Sequence, residues 1–375
     1  MCFRLRIISP LLAILLSLPL AACREPEPVR VGFLGGLTGR ATGLGTSGRN
    51  GFTLAIEQAN ATGGISGRPI EPIIKDHRMD PARAKAALQE LFDARIVAII
   101  GPMTSQIAIT VLPEVNRARI PMISPTVSTS QLFGLDDYFL RVYYSSSQAS
   151  ELLADYLATR KGLPRMIAFY DVSNLAFTED WVRNFGQHYA QRQGQLLDAI
   201  PFELKGDTHY SELADLALIH NPQGILLLAN AVDTAMLAQQ LGKRGIKIPL
   251  YAAGWSYSDD LLQFGGHSVE GLTIVQSANP EAPHPEGKAF RQAYAARFNE
   301  APNFPAMHAY DATRLLLAAL AKGVTSGPGL KEALLSLTPR PGAQGASIAF
   351  DRYGDLNKPE LHLATIEQGR FRPLQ

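Results

Sequence analysis

A repeated order of apolar strand, polar loop and helix constrains the fold of this chain more than any other feature. Residues 95–132 show the order in its most compact form, RIVAIIGPMTSQIAITVLPEVNRARIPMISPTVSTSQL. An apolar run at 97–100 ends at Gly101-Pro102, a helical stretch follows, and a second strand at 121–124 begins the order again. Because parallel strands need a long crossover, usually a helix, this order predicts a parallel sheet with helices on its faces.

The same alternation extends over most of the chain. Further strand-like runs lie at 29–34, 70–75, 165–170, 224–229, 248–252, 272–276 and 361–366. Helix-like stretches lie at 178–193, 232–244 and 305–322. A length of 375 residues suits about two domains. We therefore predict an α/β chain of two doubly wound parallel-sheet lobes, with the stretch 143–147 as a crossing between them.

The first 22 residues have the pattern of a secretory signal peptide. Arg4 and Arg6 precede an apolar core at 11–20, and small residues follow at 21–22. The apolar core is shorter than the roughly 20 residues that a membrane-spanning helix needs. We expect this segment to be removed on export.

Cys23 stands directly after the expected cleavage point. Residues 20–23, Leu-Ala-Ala-Cys, resemble the lipobox of bacterial lipoproteins, in which the cysteine carries the lipid; the alternative is a chance cysteine. The other cysteine, Cys2, lies in the signal peptide, so we expect no internal disulfide. The mature chain would be anchored by Cys23 to a membrane in the periplasm or at the cell surface, with 23–28 as a stiff tether.

Composition and motifs exclude several classes of protein. A formal net charge of +1 argues against nucleic-acid binding, which requires a strongly basic face. A G-x-G-x-x-G string occurs at 43–48, but the loop 35–42 separates it from the preceding strand, unlike a dinucleotide fingerprint. The chain contains no H-E-x-x-H, C-x-x-C, G-x-S-x-G or Walker string. We therefore expect no enzyme activity, cofactor or metal site.

Small polar residues follow several of the predicted strands. In the first lobe they are Thr104, Ser105, Thr126 and Ser128. A helix that begins near Ser105 would add unpaired N–H groups and the positive end of its dipole, which suits an anion. Because open α/β sheets bind ligands at the carboxyl ends of their strands, these loops predict an anion cradle. The alternative is that they are ordinary connections.

Residues of the second lobe would face that cradle across a cleft. The candidates after its strands are Asn174, Phe177, Asn230, Asp233 and Trp255. The alternative for the two aromatic residues is burial in the core. Two sets of loops, one from each lobe, can close on a small ligand.

The order and spacing of several short motifs resemble a known family. They are GGLTG at 35–39, NATGGISGR at 60–68, IPMISP at 120–125, AYDA at 309–312 and FDRYGD at 350–355. From Val29 to Arg372 the chain resembles the periplasmic leucine/isoleucine/valine-binding proteins, type I solute-binding proteins of branched-chain amino-acid ABC importers.

This resemblance implies two lobes joined by three crossovers, near Ser146, Ser277 and Ile348, and a hinge that closes on the ligand. The N-terminal lobe would comprise 29–146 plus 278–348. The C-terminal lobe would comprise 147–277 plus 349–375.

The resemblance also implies roles for individual residues. The contacts of the family with a ligand α-carboxylate fall on Ser105, Thr126 and Ser128, with Met103 and Thr104 beside them. This half of the site keeps its hydroxyl groups.

The contacts with an α-ammonium group are not kept. The two tyrosines of the family fall near Leu175 and Asn230, and its glutamate falls near Gly254. Because a buried ammonium without a partner is costly, either Asp233, Asp171 or another acid replaces the glutamate, or the ligand has no ammonium.

A ligand without an ammonium would suit the apolar side chains of the site. Leu44, Phe177 and Trp255 fit an apolar or aromatic carboxylate. We therefore expect a lipid-anchored solute-binding protein that passes an amino acid or related small carboxylate to an ABC permease. The alternatives are a sensor of the same fold that signals to a membrane receptor kinase, and an exported enzyme.

Overall fold

The computed structural model describes residues 26–39, 42–162, 164–203, 209–277, 284–324, 327–345 and 347–374. The predicted signal peptide and Cys23 lie outside these residues. Within the described ranges, no helix combines the length and apolar character that crossing a lipid bilayer requires.

Strands and helices alternate along the chain. The strands are β1 (Val29–Gly35), β2 (Ile70–Asp76), β3 (Ala98–Ile100), β4 (Met122–Ser124), β5 (Phe139–Arg141), β6 (Met166–Asp171), β7 (Leu196–Phe202), β8 (Gly224–Leu228), β9 (Leu250–Ala252), β10 (Thr273–Gln276), β11 (Arg340–Pro341), β12 (Ser347–Ile348), β13 (His362–Glu367) and β14 (Arg370–Pro373). The helices are α1 (Gly43–Ala61), α2 (Pro81–Asp93), α3 (Ser105–Ala118), α4 (Ser146–Arg160), α5 (Leu175–Gln191), α6 (Tyr210–His220), α7 (Ala231–Lys243), α8 (Asp259–Gly265), α9 (Pro285–Phe298), α10 (Phe304–Leu320) and α11 (Gly327–Leu335).

The strands form two large sheets that share one topology. The first sheet is parallel, in the order β2-β1-β3-β4-β5. The second repeats this order as β7-β6-β8-β9-β10 and adds the antiparallel strands β13 and β14 at one edge. The prediction of an α/β fold with two doubly wound, parallel-sheet lobes is confirmed. In such sheets the crevice for a ligand opens where the strand order reverses, here beside β1 and β3 and beside β6 and β8.

Each sheet is covered by apolar side chains on both faces. In the first lobe, α1, α10 and α11 cover one face and α2 and α3 cover the other. In the second lobe, two further clusters cover the two faces, and the larger of them includes α4 and α5. This layering places the helices so that their N-termini and the strand ends meet at the cleft.

Local signals fix where several helices begin. Asp80 caps α2 by accepting a hydrogen bond from the N–H of Arg83 at 2.6 Å, and a proline occupies the first turn. Ser145 and Gln148 form a reciprocal capping box at the start of α4. Because Ser145 lies just after the first crossover, this cap fixes the point at which the second lobe begins.

The third crossover lies later than the sequence predicted. Phe350 and Leu356 pair with each other and belong to a core cluster of the first lobe. Asp355 forms a buried ion pair with Arg141, the last residue of β5, at 2.6 Å. The boundary predicted between 348 and 349 therefore has to move beyond Leu356, because 350–356 complete the first lobe before the chain reaches β13.

Candidate functional site

The first loop of the site connects β3 to α3. Gly101 has a φ of +114°, and a Cβ there would lie 2.3 Å from the carbonyl oxygen of Leu34, so the turn requires glycine. Helix α3 begins at Ser105, and its capping residue Thr104 makes no side-chain cap. The first N–H groups of α3 therefore have no side-chain cap from within the first lobe.

A second loop, after β4, is tied to the first by two buried hydrogen bonds. The hydroxyl of Ser124 donates to the carbonyl of Pro102 at 2.7 Å, and the hydroxyl of Thr126 donates to the carbonyl of Met103 at 2.6 Å. Since Thr126 uses its proton within the lobe, its hydroxyl can only accept from a ligand. The two bonds hold both loops as one surface.

The serine hydroxyls of this surface are the ones able to donate. Ser105 Oγ accepts from the N–H of Thr129 at 3.3 Å, which leaves its own proton for another acceptor. The carbonyl of Ser128 accepts from both the N–H and the Oγ of Ser146, at 2.6 and 2.9 Å. This carbonyl links the loop after β4 to the start of α4, and therefore to the first crossover.

A buried ion pair supports the loop from behind. Arg141 donates to Asp355 and also to the carbonyl of Thr129, at 2.9 Å. Burial lowers the pKa of Arg141, and the neighbouring Asp355 acts in the opposite direction. The ion pair fixes the position of the residues that follow Ser128.

The second lobe contributes a wall of larger side chains. Asn174 is buried, and its Oδ1 accepts from the N–H of Gln106 at 3.1 Å, which leaves the amide N–H groups for the cavity. Phe177 and Trp255 meet edge to face, with ring centroids 5.8 Å apart. The arrangement is mostly apolar, with one amide at its edge.

Two tyrosines of the first crossover close the site, and the sequence did not predict them as site residues. Tyr143 and Tyr144 are stacked, with centroids 4.1 Å apart, and their hydroxyls hydrogen-bond at 3.1 Å. Phe304, at the start of α10, stacks on Tyr143 and was also missed. An adjacent aromatic pair at a predicted crossing is the signal that could have indicated them.

These groups line a cavity between the lobes with about 310 Å³ of empty space, part of it open to solvent. It is lined by Leu44, Met103, Ser105, Thr126, Ser128, Tyr143, Tyr144, Asn174, Phe177, Trp255 and Phe304. Every one of these side chains is uncharged. Burial raises the pKa of Tyr144 to about 12, so its hydroxyl keeps its proton at neutral pH.

The lobes are in direct contact around this cavity. The side chain of Gln106 accepts from the N–H of Ala176 at 3.2 Å, next to the bond that Gln106 makes with Asn174. Ser130 donates from both its N–H and its hydroxyl to the buried carboxylate of Asp180, at 2.7 Å each. The cleft is therefore closed.

Five predicted site residues do not line the cavity. The Thr104 hydroxyl faces the sulfur of Met79, because the capping position turns it away from the cleft. Leu175 is exposed at the start of α5. Gly254 has no side chain, and the Tyr144 hydroxyl fills the space in front of it.

Asn230 and Asp233 bond to each other at the start of α7, through the Asn230 Nδ2 and a carboxylate oxygen 2.7 Å apart. Asp233 also accepts from the hydroxyl of Tyr210 at 2.8 Å. Asn230 lines a neighbouring cavity, with about 630 Å³ of empty space, that shares Leu44, Trp255 and Phe304 with the first.

The acids considered as partners for an ammonium group have other roles. Asp171 caps the turn that follows β6, accepting from the N–H of Ser173 at 2.8 Å. Neither Asp171 nor Asp233 lines the cavity. In the part of the chain that the structure describes, no three His, Cys, Asp or Glu side chains are grouped so that they could hold a metal ion.

Comparison with known proteins agrees with this geometry. The family model described as periplasmic binding protein matches residues 28–370. A Leu/Ile/Val-binding protein homolog 3 of Brucella melitensis is 22% identical over 352 residues, which cover 92% of this chain and 94% of that protein.

Two solved structures share the fold. LivJ of Streptococcus pneumoniae, in complex with isoleucine, is 22% identical with a TM-score of 0.83, covering 92% of this chain and 98% of the other. A solute-binding protein of an ABC transporter from Rhodopseudomonas palustris, in complex with 3,4-dihydroxy benzoic acid, is also 22% identical, with a TM-score of 0.82 and coverage of 92% and 95%. At this level of identity the likeness concerns the fold.

Proposed function

The chain belongs to the periplasmic binding protein family, and from this premise we propose that it binds a small apolar or aromatic carboxylate between its lobes for an ABC importer. Cys23 would carry the lipid that anchors it outside the cytoplasm, and a permease would receive the ligand from the closed form. No chemical step is involved. The reported complexes of the two structural relatives contain an amino acid in one case and an aromatic acid in the other.

The observation that carries the choice of ligand is the uncharged lining of the cavity. Hydroxyl protons of Ser105 and Ser128 and the positive end of the α3 dipole form the donor end, which suits a carboxylate. An α-ammonium in the same cavity would lose its water without meeting a carboxylate, at a cost of several kcal/mol. We therefore favour a carboxylate without an ammonium over an amino acid.

The wall of the second lobe supports the same choice. Phe177 and Trp255 present ring surfaces to the cavity, and Leu44 and Phe304 add apolar surface from the first lobe. Aromatic rings favour edge-to-face or offset contacts with one another, which a ligand ring can extend.

Binding and thermal unfolding of the mature chain with benzoate, 3-phenylpropanoate and leucine would test this function. A ligand at a hundred times its dissociation constant should stabilise the protein by about 2.7 kcal/mol. We expect Ser105→Ala to weaken binding of the aromatic acids by roughly 1–3 kcal/mol, the cost of a hydrogen bond to a charged group. Ser336→Ala, at an exposed serine after α11, is the matched control.

Two results would contradict the proposal. Unchanged affinity in Ser105→Ala would show that the carboxylate of the ligand does not bind to Ser105 in the first lobe. Tight binding of leucine with no binding of either aromatic acid would show that the cavity does accommodate an ammonium.

A further inference from the structure

The space in front of Gly254 is occupied by the tyrosine pair of the first crossover. A Cβ at position 254 would lie 2.4 Å from the hydroxyl oxygen of Tyr144 and 3.0 Å from that of Tyr143. Atoms do not approach so closely, so a longer side chain at 254 would have to displace both rings. Gly254 is therefore kept from the cavity, and the tyrosine pair, which lines it, takes its place.

The direction of the hydrogen bonds determines what Tyr144 can recognise. Its oxygen accepts from the hydroxyl of Tyr143 at 3.1 Å. Once a phenolic oxygen has accepted one hydrogen bond, it accepts a second only weakly. What remains to Tyr144 is its own O–H group, which can only donate.

A donor at this point discriminates between ligands. An oxygen of a carbonyl or hydroxyl group can accept the proton of Tyr144, whereas an ammonium group has only protons to give. Two donors that face each other in a buried site leave both groups without an acceptor, which is costly. The hydroxyl therefore selects for an acceptor and against an ammonium.

The position of the tyrosine pair indicates which part of the ligand it meets. Val142, just before the pair, donates its N–H to the carbonyl of Ser124 at 3.1 Å, and Ser146, just after it, donates to Ser128. The pair is thus held beside the loop that follows β4, at the end of the cavity where Ser105 and Ser128 would bind the carboxylate. Phe177 and Trp255 border the cavity from the second lobe.

From this geometry we propose that Tyr144 is a specificity-determining residue and that the ligand is a carboxylate with an oxygen on its α-carbon, as in an apolar 2-oxo or 2-hydroxy acid. The inference rests on the proposed function, since it requires the carboxylate to lie against Ser105 and Ser128. The α-oxygen then accepts from Tyr144, and the apolar group lies against the aromatic wall.

Three ligands with one carbon skeleton test the proposal: phenylpyruvate, 3-phenylpropanoate and phenylalanine, which carry a carbonyl, a methylene and an ammonium-bearing carbon at the α position. Calorimetric titration of the mature chain should rank them in that order. Phenylpyruvate should bind about 2- to 13-fold more tightly than 3-phenylpropanoate, the range of one net hydrogen bond. Phenylalanine should bind about 100-fold or more weakly than phenylpyruvate.

Variants of the tyrosine pair separate a specific role from a structural one. In Tyr144→Phe, phenylpyruvate and 3-phenylpropanoate should bind equally, with the affinity for 3-phenylpropanoate unchanged. Tyr143→Phe removes the donor to Tyr144 and frees a lone pair, so the discrimination against phenylalanine should decrease. Tyr353→Phe, at a tyrosine in the turn after Phe350, is the control and should change none of the three affinities.

The outcomes distinguish this inference from the function on which it rests. If the wild-type chain binds phenylpyruvate and 3-phenylpropanoate equally, or if Tyr144→Phe weakens both to the same extent, the specificity role of Tyr144 is wrong and the carboxylate site stands. If none of the three ligands binds, the proposed function itself fails.

Discussion

The two faces of the cleft are built in different ways. The polar part of the first-lobe face consists of small residues at strand ends, held by hydrogen bonds to the backbone of the same lobe, such as the bond from Thr126 to Met103. The second-lobe face consists of large side chains, Phe177 and Trp255, positioned by contact with each other. The first face is thus specified locally by the chain, and the second depends on tertiary packing.

This difference separates two properties of the site. Hydroxyls and helix N–H groups at strand ends suit any carboxylate, so the first face is general. The rings, Asn174 and the tyrosine pair decide which carboxylate fits, so they determine selectivity. Substitutions on the two faces should therefore have distinguishable effects, and the following predictions test that distinction in order of decreasing effect.

The largest effect should come from the ion pair behind the first face. Asp355→Ala leaves Arg141 buried without its partner, and we expect the free energy of unfolding to fall by about 3–5 kcal/mol. Denaturant unfolding measures this change. The exposed pair of Arg244 with Asp215 in the second lobe is the control, since Asp215→Ala should cost at most about 1 kcal/mol. Equal losses in the two variants would contradict a rigidly supported first face.

A smaller effect should come from the contact that joins the two faces. In Asp180→Asn the charge that accepts from Ser130 is lost, and closure should weaken by about 1.5–3 kcal/mol. Because closure accompanies binding of every ligand, affinities should fall by one common factor of roughly 13 to 160. Titrations with several carboxylates measure this factor.

Asp155→Asn is the matched control, since Asp155 pairs with Arg192 at an exposed position. A change in the ranking of ligands in Asp180→Asn would show that Asp180 acts on the cavity itself and not on closure.

A change confined to the second face should alter selectivity. Trp255→Leu keeps an apolar side chain but removes a ring, so aromatic acids should lose about 0.5–1.5 kcal/mol of binding free energy. An aliphatic acid such as 4-methylpentanoate should be nearly unaffected. Parallel titrations of the two acids measure the shift, and equal losses would place Trp255 in a purely structural role.

The smallest effect concerns pH. Burial lowers the pKa of His77 to about 4 and that of His308 to about 3, so each histidine contributes stability above its unfolded pKa of 6.5 that is lost as the pH falls. Burial raises the pKa of Asp311 from 3.8 to about 7. Between these two pH values this shift stabilises the folded protein as the pH falls, which opposes the effect of the histidines. Because the two histidines outweigh the one carboxyl group, stability should fall from pH 6.5 to 5.5, by on the order of 1 kcal/mol.

All three of these groups belong to the first lobe, so acidification should weaken that lobe first. Hydrogen exchange at the two pH values, compared between β1 and β6, would measure this. If β6 lost protection before β1, the prediction that acidification weakens the first lobe first would be wrong.

The sequence predicted the first face because its signals are local. A strand that ends in glycine and proline, followed by serine at a helix start, indicates from local residues that Ser105 lies at the carboxyl end of a strand. The second face required knowledge of packing. Nothing near Gly254 in the sequence indicates that a tyrosine more than a hundred residues earlier fills the space in front of it.

The fold itself shows the same limit. The long alternation of strands and helices predicted both sheets, whereas their edge strands β5, β7 and β14 were not predicted. The return of 350–356 to the first lobe also has no local signal, because it depends on Asp355 meeting Arg141. The boundary between the lobes therefore depends on contacts distant in sequence.

The bonds between Gln106 and the start of α5 have a kinetic consequence. Each lobe supplies a hydrogen-bonding partner to a helix start of the other, Asn174 to the N–H of Gln106 and Gln106 to the N–H of Ala176. A ligand enclosed in the cavity can leave only after water has replaced these bonds. The release rates of all ligands would then share one upper limit. This limit is set by how fast the two helix starts separate and not by the chemistry of the ligand.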